Sequence, residues 1–319
     1  MGRYIVKRLL TAIVAFFGIT IITYILASLM PGTPLDMLVQ PGSGLSAEEI
    51  AEIEHRMGLD QPLIVQYFYW LGNMLQGNFG TSYSQYRPVW DLLMDRIGPT
   101  LLLSISSLVI ALLIAVPLGT IAGYKAYSGW DYGSTIIAFI GRGAPTFFVA
   151  LLLIYVFSIQ LGWLPASGMY DAGSTGSFTQ LVAHMALPCA TMVLANIGVF
   201  TRQMRNSAVE CLSEDYIRTA RAKGMSEKTV LFKHMLRNAL QPVVTSAGLA
   251  LPSLVGGSIV IEQIFAWPGM GTLMLRSIQG RDYPTIMGIT VLISVVVLVG
   301  NVLLDILYRL LDPRIGDKA

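Results

Sequence analysis

Charged residues are scarce in this sequence, and so are the residue types from which metal and redox sites are built. Only 13% of the 319 residues are Asp, Glu, Lys or Arg, whereas soluble domains carry roughly a quarter. The 2 cysteines and 3 histidines are too widely spaced for a metal site. A net charge of +2 gives no reason to expect a nucleic-acid partner. These scarcities exclude an ordinary soluble domain and indicate a membrane protein. We expect Cys189 and Cys211 to form no disulfide.

Common catalytic motifs are also missing. The sequence has no Gly-x4-Gly-Lys-Ser/Thr phosphate loop, no His-Glu-x2-His and no Gly-x-Ser-x-Gly. We therefore expect a non-catalytic chain that holds no cofactor of its own. His184 lies in an apolar stretch, where a hydrogen-bonded packing role is favoured over a ligand role.

Long apolar runs are what the sequence has in abundance. Hydrophobic residues make up 54% of the chain, and the mean hydropathy is +0.63. A helix of about 20 apolar residues crosses a bilayer, and six stretches reach that length. The first is too long for the apolar part of a signal peptide and is expected to remain as a span. Prolines interrupt the fourth and fifth, which membrane helices tolerate. The predicted spans are residues 9–30, 99–124, 135–162, 181–200, 239–261 and 285–309.

The distribution of Lys and Arg predicts the orientation, because cytoplasmic loops are enriched in both. With the N-terminus inside, 15 of the 21 Lys and Arg residues lie in cytoplasmic segments and 5 on the outer side. Both termini are therefore predicted to be cytoplasmic. The fold class is all-α integral membrane, with six transmembrane helices. An extracytoplasmic insert follows the first helix, and a cytoplasmic loop joins the fourth to the fifth.

The insert, residues 31–98, is too long for a simple turn. Ser46-Ala-Glu-Glu49 has the capping-box pattern and predicts a short helix to about Gly58. Tyr67, Trp70, Leu71 and Met74 have helical spacing and predict an amphipathic helix in the membrane interface. The acidic excess of the insert fits either a partner's basic patch or a solvated cap. We divide the chain into residues 1–98, a five-helix core at 99–309, and a tail at 310–319.

The most charged run lies in the cytoplasmic loop, from Ser213 to Ser226. Ser213 can cap a helix whose first turn holds acidic residues and whose far end holds cations, as the helix dipole favours. Gly224 then ends that helix, because a left-handed residue is tolerated best when it is glycine. Ser226 can cap a second helix. So much local order in a loop indicates a docking surface.

Two features of the spans stand out. Arg142 lies several residues inside the third span, where a charge is costly and often functional; the plainer interpretation is an arginine that extends to the cytoplasmic headgroups. Glu262 ends the fifth span, just before Trp267, which suits the membrane interface. Pro268, Gly269 and Gly271 follow and permit a tight re-entrant corner.

Several motifs, in order, resemble the permease subunits of binding-protein-dependent ABC importers, in the dipeptide/oligopeptide/nickel branch. Asp215 to Gly224 is similar to that family's EAA loop, although Arg218 replaces the glutamate and Thr219 the first alanine. The motifs Glu262…Trp-Pro-Gly-x-Gly271 and Arg281-Asp-Tyr-Pro284 are similar as well. In the family this segment lies at the outer mouth of the pathway, which implies a gate at Glu262, Trp267, Pro268, Gly269 and Gly271; a purely structural role fits equally well. Gly141-Arg-Gly-Ala-Pro145 departs from the family's Gly-x-Ser-x-Pro. In such a permease Arg142 would either face the pathway and attract a substrate carboxylate or extend to the headgroups.

The resemblance implies a function and a set of partners. The chain would pair with a second, homologous permease, two ATPase subunits that hold ATP and Mg²⁺, and an extracytoplasmic binding protein. All would work at the cytoplasmic membrane of a bacterium or archaeon, with lipid around the spans and without nucleic acid. Peptides are the expected cargo; nickel chelates, glutathione and oligosaccharides stay open. The predicted docking face for the ATPase consists of Ala220, Ala222, Lys223, Gly224, Met225, Ser226 and Glu227.

Two functions of other classes are alternatives. A secondary transporter or channel would work without ATPases, and the ordered cytoplasmic corner disfavours it. A membrane scaffold would carry no substrate, which the interrupted spans and Arg142 disfavour.

Overall fold

The structure is a computed structural model that describes residues 2–29, 46–56, 58–174, 176–250 and 259–311. Within this part of the chain the regular elements are helices, and the one β feature is an isolated bridge between Thr81 and Pro88. Two helices continue in π-helical geometry, over Ile154–Gln160 and Val230–Met235. In chain order the helices are α1 Gly2–Ser28, α2 Ala47–Arg56, α3 Leu63–Leu75, α4 Val89–Tyr124, α5 Gly129–Gly143, α6 Thr146–Leu153, α7 Phe178–Ser213, α8 Asp215–Ala222, α9 Glu227–Thr229, α10 Leu236–Leu249, α11 Ile259–Ile264, α12 Met270–Gln279 and α13 Tyr283–Leu311.

Four of the six predicted spans correspond to single helices long and apolar enough to cross a membrane. These are Leu10–Ser28, Val89–Tyr124, Phe178–Ser213 and Tyr283–Val302. The fourth predicted span is not interrupted, since α7 runs through Pro188 without a break. It also continues beyond residue 200 to Ser213, so the first part of the predicted cytoplasmic loop is an extension of that helix.

The third and fifth predicted spans are not single helices in the described part of the chain. The third divides into α5 and α6 at Pro145, whose φ of −57° and ψ of 134° place it before the first residue of α6. Proline lacks the N–H for a continued helix and disfavours helical geometry in the residue before it. The fifth includes α10 and α11; residues 251–258, with Pro252, lie outside the described residues.

The chain divides into two compact units. The first contains Met1–Gly98 and Leu273–Val299. Its core is the buried face of α3, with Tyr67, Leu71 and Met74 packed together with Val291. The capping box at α2 is confirmed: Ser46 N donates to Glu49 Oε2 at 2.7 Å, and Glu49 N donates to Ser46 Oγ at 3.3 Å. The hydrogen bond from the Ser46 backbone lowers the pKa of the Glu49 carboxyl.

The second unit contains Pro99–Thr272 and Gly300–Ala319. Its described part is built around α7, against which α5 and α10 pack. Glycines allow close contact between helix backbones, as is usual in membranes. A Cβ on Gly119 of α4 would lie 2.6 Å from the Met204 Cβ atom, and one on Gly123 would lie 2.6 Å from the Ala208 Cβ atom.

One ion pair fastens α5 to α7. Arg205 Nε and Nη2 donate to the two carboxylate oxygens of Asp131, at 2.5 and 2.7 Å. The Asp131 side chain is buried, and it also accepts a bond from Tyr127 N at 2.8 Å. These hydrogen bonds, chiefly that from Arg205, lower the pKa of the Asp131 carboxyl. A planar two-point contact of this kind fixes both the rotation and the spacing of the two helices.

Candidate functional site: an exposed helical corner and a buried carboxylate

The charged loop folds as helix, glycine, helix. Gly224 has a φ of +74°, the left-handed geometry predicted for it. Its N–H donates to Arg221 O at 2.9 Å, and Met225 N donates to Ala220 O at 3.3 Å. These bonds satisfy carbonyls at the end of α8 and turn the chain sharply into α9. A Cβ at Gly224 would meet no atom within 4 Å, so only the backbone conformation restricts this position.

The two predicted helix caps had different outcomes. Ser226 caps α9, because its Oγ accepts from Thr229 N at 3.4 Å. Ser213 does not cap α8. It is the last residue of α7, where its hydroxyl donates to Glu210 O at 2.7 Å, and Glu214 occupies the cap position of α8 without a side-chain bond. The preceding helix, α7, extends farther than the sequence indicates and includes Ser213 as its last residue.

The inner side of the corner is anchored in the core of the second unit. Ile217 and Ala220 of α8 are buried there together with Val230 and Met235 of the following π-helical segment. Ala220 is 4% exposed, so its predicted place on a docking face is wrong. At α-helical spacing Ile217 and Ala220 share one face, and this face is occupied by the protein's own core.

The outer side of the corner is exposed. The other six residues of the predicted docking face are all exposed, namely Ala222, Lys223, Gly224, Met225, Ser226 and Glu227. Arg221 Nε and Nη2 donate to the two carboxylate oxygens of Glu227, at 2.8 and 3.2 Å. This pair joins α8 to α9 across the glycine and raises the pKa of Arg221, mainly through the hydrogen bond. We call this corner, formed by α8, Gly224 and α9, the elbow; it is exposed, and the Arg221–Glu227 ion pair connects its two helices.

A buried carboxylate organises the second candidate region. Glu262 is 1% exposed, and its Oε1 accepts from Thr100 Oγ1 at 2.8 Å while its Oε2 accepts from Thr272 N at 3.0 Å. Thr100 Oγ1 in turn accepts from Met270 N at 2.7 Å. The carboxylate thus holds the first turn of α12 both directly and through Thr100. A charged group buried this deeply requires such partners.

The two predicted glycines are needed at the positions they occupy. A Cβ on Gly269 would lie 2.5 Å from Glu262 Oε2 and closer still to its Oε1, and one on Gly271 would lie 2.8 Å from Oε2. Neither glycine has a positive φ. Their role is therefore to leave space for the carboxylate.

Trp267 completes this buried corner. Its side chain has no exposed surface, and its Nε1 donates to Pro99 O at 3.0 Å. The next residue, Pro268, is partly exposed. The structure thus brings Glu262, Trp267, Gly269 and Gly271 together in one buried corner. Their role as a gate remains a prediction.

The other residues singled out from the sequence have simpler outcomes. Arg142 lies in α5, and its side chain is outside the described part of the structure. His184 is buried, with Nδ1 3.0 Å from Ser167 O and Nε2 3.2 Å from Asp171 Oδ1, as a hydrogen-bonded packing residue would be. Cys189 and Cys211 are free thiols.

Sequence reasoning missed the partners of the buried carboxylates. Thr100 lies more than 160 positions before Glu262, and no local pattern connects them. Asp282 is likewise buried: it accepts from Ser84 Oγ at 2.8 Å, from Tyr83 N at 3.1 Å and, at short range, from Ser82 Oγ. The Arg-Asp-Tyr-Pro motif could have indicated a structural role for Asp282, but not the identity of its donors.

Comparison with known proteins places these features in one family. Residues 115–317 match the family described as "Binding-protein-dependent transport system inner membrane component", and residues 1–106 match the corresponding N-terminal family. The chain is 44% identical over 316 residues to the oligopeptide transport system permease protein AppB of Bacillus subtilis, covering 99% of each. It is 40% identical over 318 residues to the glutathione transport system permease protein GsiC of Escherichia coli K12, covering 100% of each.

Solved structures agree on the fold. An inward-facing structure of the MetNI methionine ABC transporter matches with a TM-score of 0.55 at 19% identity, over 69% of this chain and 96% of that one. A crystal structure of an amino acid ABC transporter with histidines matches with a TM-score of 0.52 at 14% identity, over 69% and 94%. Together with the two family matches, which cover nearly the whole sequence, these findings show that the chain belongs to the inner-membrane components of binding-protein-dependent transport systems.

Proposed function

We propose that this chain is the permease subunit of an ABC importer and forms, with a second homologous permease, a pathway for peptides. The relatives just described transport oligopeptides and glutathione, and glutathione is itself a tripeptide. A binding protein on the outer side would deliver the peptide. Partner ATPases would bind ATP and Mg²⁺, so that this chain needs no nucleotide site.

The observation that carries the proposal is the braced elbow on α8 and α9. One side of it is buried in the core through Ile217, and the other side presents Lys223, Gly224 and Met225 to solvent. A partner that moves this surface moves the core of the second unit with it. Such rigidity is what coupling of ATP hydrolysis to helix movement requires, because a flexible loop would absorb the motion.

The orientation of the chain in the membrane is part of the proposal. We propose that both termini and the elbow face the cytoplasm, where the Lys and Arg residues are concentrated and the ATPases reside. The six-helix topology is part of this proposal: α5 with α6, and α10 with α11, would form the third and fifth spans. The Glu262 corner would then lie toward the outer end of the pathway.

Gly224→Leu tests the proposal. Leucine at a φ of +74° is strained by about 1–3 kcal/mol and adds bulk to the exposed elbow, while no atom of this chain obstructs it. We expect normal membrane insertion and normal assembly of the chain itself, with loss of transport and of peptide-stimulated ATP hydrolysis in reconstituted vesicles.

Gly173→Leu is the matched control. Gly173 has a φ of +77° and is exposed, and a Cβ at this position would meet nothing within 4 Å, but it lies far along the chain from the elbow. It should carry the same backbone strain and leave ATP turnover intact. Normal peptide-stimulated ATP hydrolysis in both variants would contradict the role of the elbow. Equal loss of this hydrolysis in both would show that backbone strain alone is responsible.

A further inference from the structure

The insert helix α3 is apolar on both of its faces. Tyr67, Leu71 and Met74 are buried on one side. The other side exposes large apolar residues, with Ile64 at 71% and Tyr69 at 77%. No charged residue occurs anywhere from residue 61 to residue 86. An interfacial helix on a solvated insert would have a strongly polar outer face, and α3 has none.

The side-chain contacts of α3 indicate how deep in the membrane this helix lies. Tyr67 Oη lies 3.0 Å from Thr20 Oγ1, and the Tyr24 hydroxyl donates to Gln66 Oε1 at 3.1 Å. Thr20 is near the middle of the apolar helix Leu10–Ser28. At about 1.5 Å per residue it lies about 12 Å from the end of that helix.

The contact of α3 with a second spanning helix, α13, indicates the same depth of α3 in the bilayer. Val291 belongs to the core that α3 forms, and it lies eight residues into α13, or about 12 Å from Tyr283. The hydrocarbon core of a bilayer is about 30 Å thick. Both neighbours of α3 therefore meet it well inside that layer and not at the headgroups.

The Gln66 side chain of α3 has its hydrogen bonds within the protein, as a polar group in hydrocarbon requires. Besides accepting from Tyr24, the Gln66 side chain donates to Gln61 O at 2.7 Å and to Leu59 O at 2.9 Å. Helical geometry satisfies the backbone. In the preceding helix α2, by contrast, Glu48, Glu49 and Glu52 are exposed, which suits water.

We propose that α3 is a re-entrant helix embedded in the membrane, with Ile64, Phe68 and Tyr69 in contact with lipid acyl chains. Its 13 residues span about 20 Å, too short to cross the bilayer, so it enters and leaves on one side. Only the part of the insert that includes α2 then lies in solvent. The neighbouring helix α1 also exposes large apolar residues, among them Val14 and Ile22.

Spin labels test the proposal in the assembled transporter. Single cysteines at 64, 68 and 69 would be introduced in a variant carrying Cys189→Ala and Cys211→Ala, labelled with nitroxide and reconstituted. Collision with oxygen reports hydrocarbon, and collision with a water-soluble nickel complex reports solvent. Position 14 of α1 is the lipid control, and exposed position 48 of α2 is the aqueous control. We expect all three labels to resemble position 14.

Two outcomes overturn the proposal. Nickel access equal to that at position 48 would place α3 in water. Low access to both reagents would show that another protein, such as the second permease, covers this face. Should the cysteine replacements prevent assembly, the unmodified complex can be irradiated with lipids that carry a diazirine in the acyl chain. Labelled peptides containing residues 63–69 support the proposal, and their absence alongside labelled α1 peptides contradicts it.

Discussion

Gly269→Ala is a small substitution with a large expected effect, because the added methyl group collides with the carboxylate of Glu262. The new Cβ would lie 2.5 Å from Oε2, and the carboxylate would have to move. Moving it breaks the bonds from Thr100 Oγ1 and Thr272 N, which are 2.8 and 3.0 Å long. Overpacking typically destabilises by about 1–3 kcal/mol, and a buried polar group left without its partner by about 1–3 kcal/mol. We expect a total of roughly 2–6 kcal/mol.

A double-mutant cycle isolates the cause. Glu262→Ala removes the carboxylate and is itself destabilising, because Thr100 and Thr272 lose their acceptor. If the clash is the whole effect, adding Gly269→Ala to Glu262→Ala costs nothing further, and the interaction free energy equals the full cost of the single glycine variant. The assay is the thermal unfolding of the purified complex.

Gly133→Ala is the control in the same unit. Gly133 lies inside α5, and a Cβ there meets nothing within 4 Å. Alanine should stabilise this helix by about 0.5–1 kcal/mol. An equal loss of stability from Gly269→Ala with and without Glu262 would refute the reasoning, since the obstacle would then lie elsewhere.

Two further predictions rest on the packing around α7. Gly198→Ala should destabilise the protein clearly more than Gly133→Ala, because its Cβ would overlap the backbone of Ala138, which cannot rotate away; thermal unfolding of the two variants side by side checks this. The lowered pKa of Asp131 means that its charge stabilises the fold above the unfolded-state pKa of about 3.9, and that this contribution is lost as the pH falls through the lower folded-state value. Asp131→Asn should therefore lower the unfolding temperature at pH 7, and this deficit should shrink as the pH falls below about 3.9; a deficit that stays the same at every pH would contradict the ion pair.

The local features of the elbow could be predicted because each depends on a few neighbouring residues. The caps at Ser46 and Ser226 and the left-handed Gly224 involve atoms within three or four positions of one another. Ser213 was misassigned for a related reason: a serine between two helical segments can cap the second or end the first. Local sequence does not decide which, and the length of α7 does.

The burial of Ala220 could not be predicted in this way. Ala220 and Ala222 look alike in the sequence, and only the position of α8 over Val230 and Met235 separates a core residue from a surface one. The break at Pro145 is similar. Pro188 leaves α7 continuous while Pro145 lies at the break between α5 and α6, so the presence of proline alone does not determine where a helix ends.

By itself, the sequence determined that this is a helical membrane protein of a binding-protein-dependent transport system, because apolar length, charge placement and ordered motifs are properties of the chain. Only the tertiary structure decided that Glu262 is held by Thr100 and Thr272, that Gly269 makes room for its carboxylate, and at what depth α3 meets α1 and α13. Several of these contacts join residues that are distant in the sequence, such as Thr100 and Glu262, which are 162 positions apart. They depend on the spatial arrangement of the helices, which no local pattern specifies.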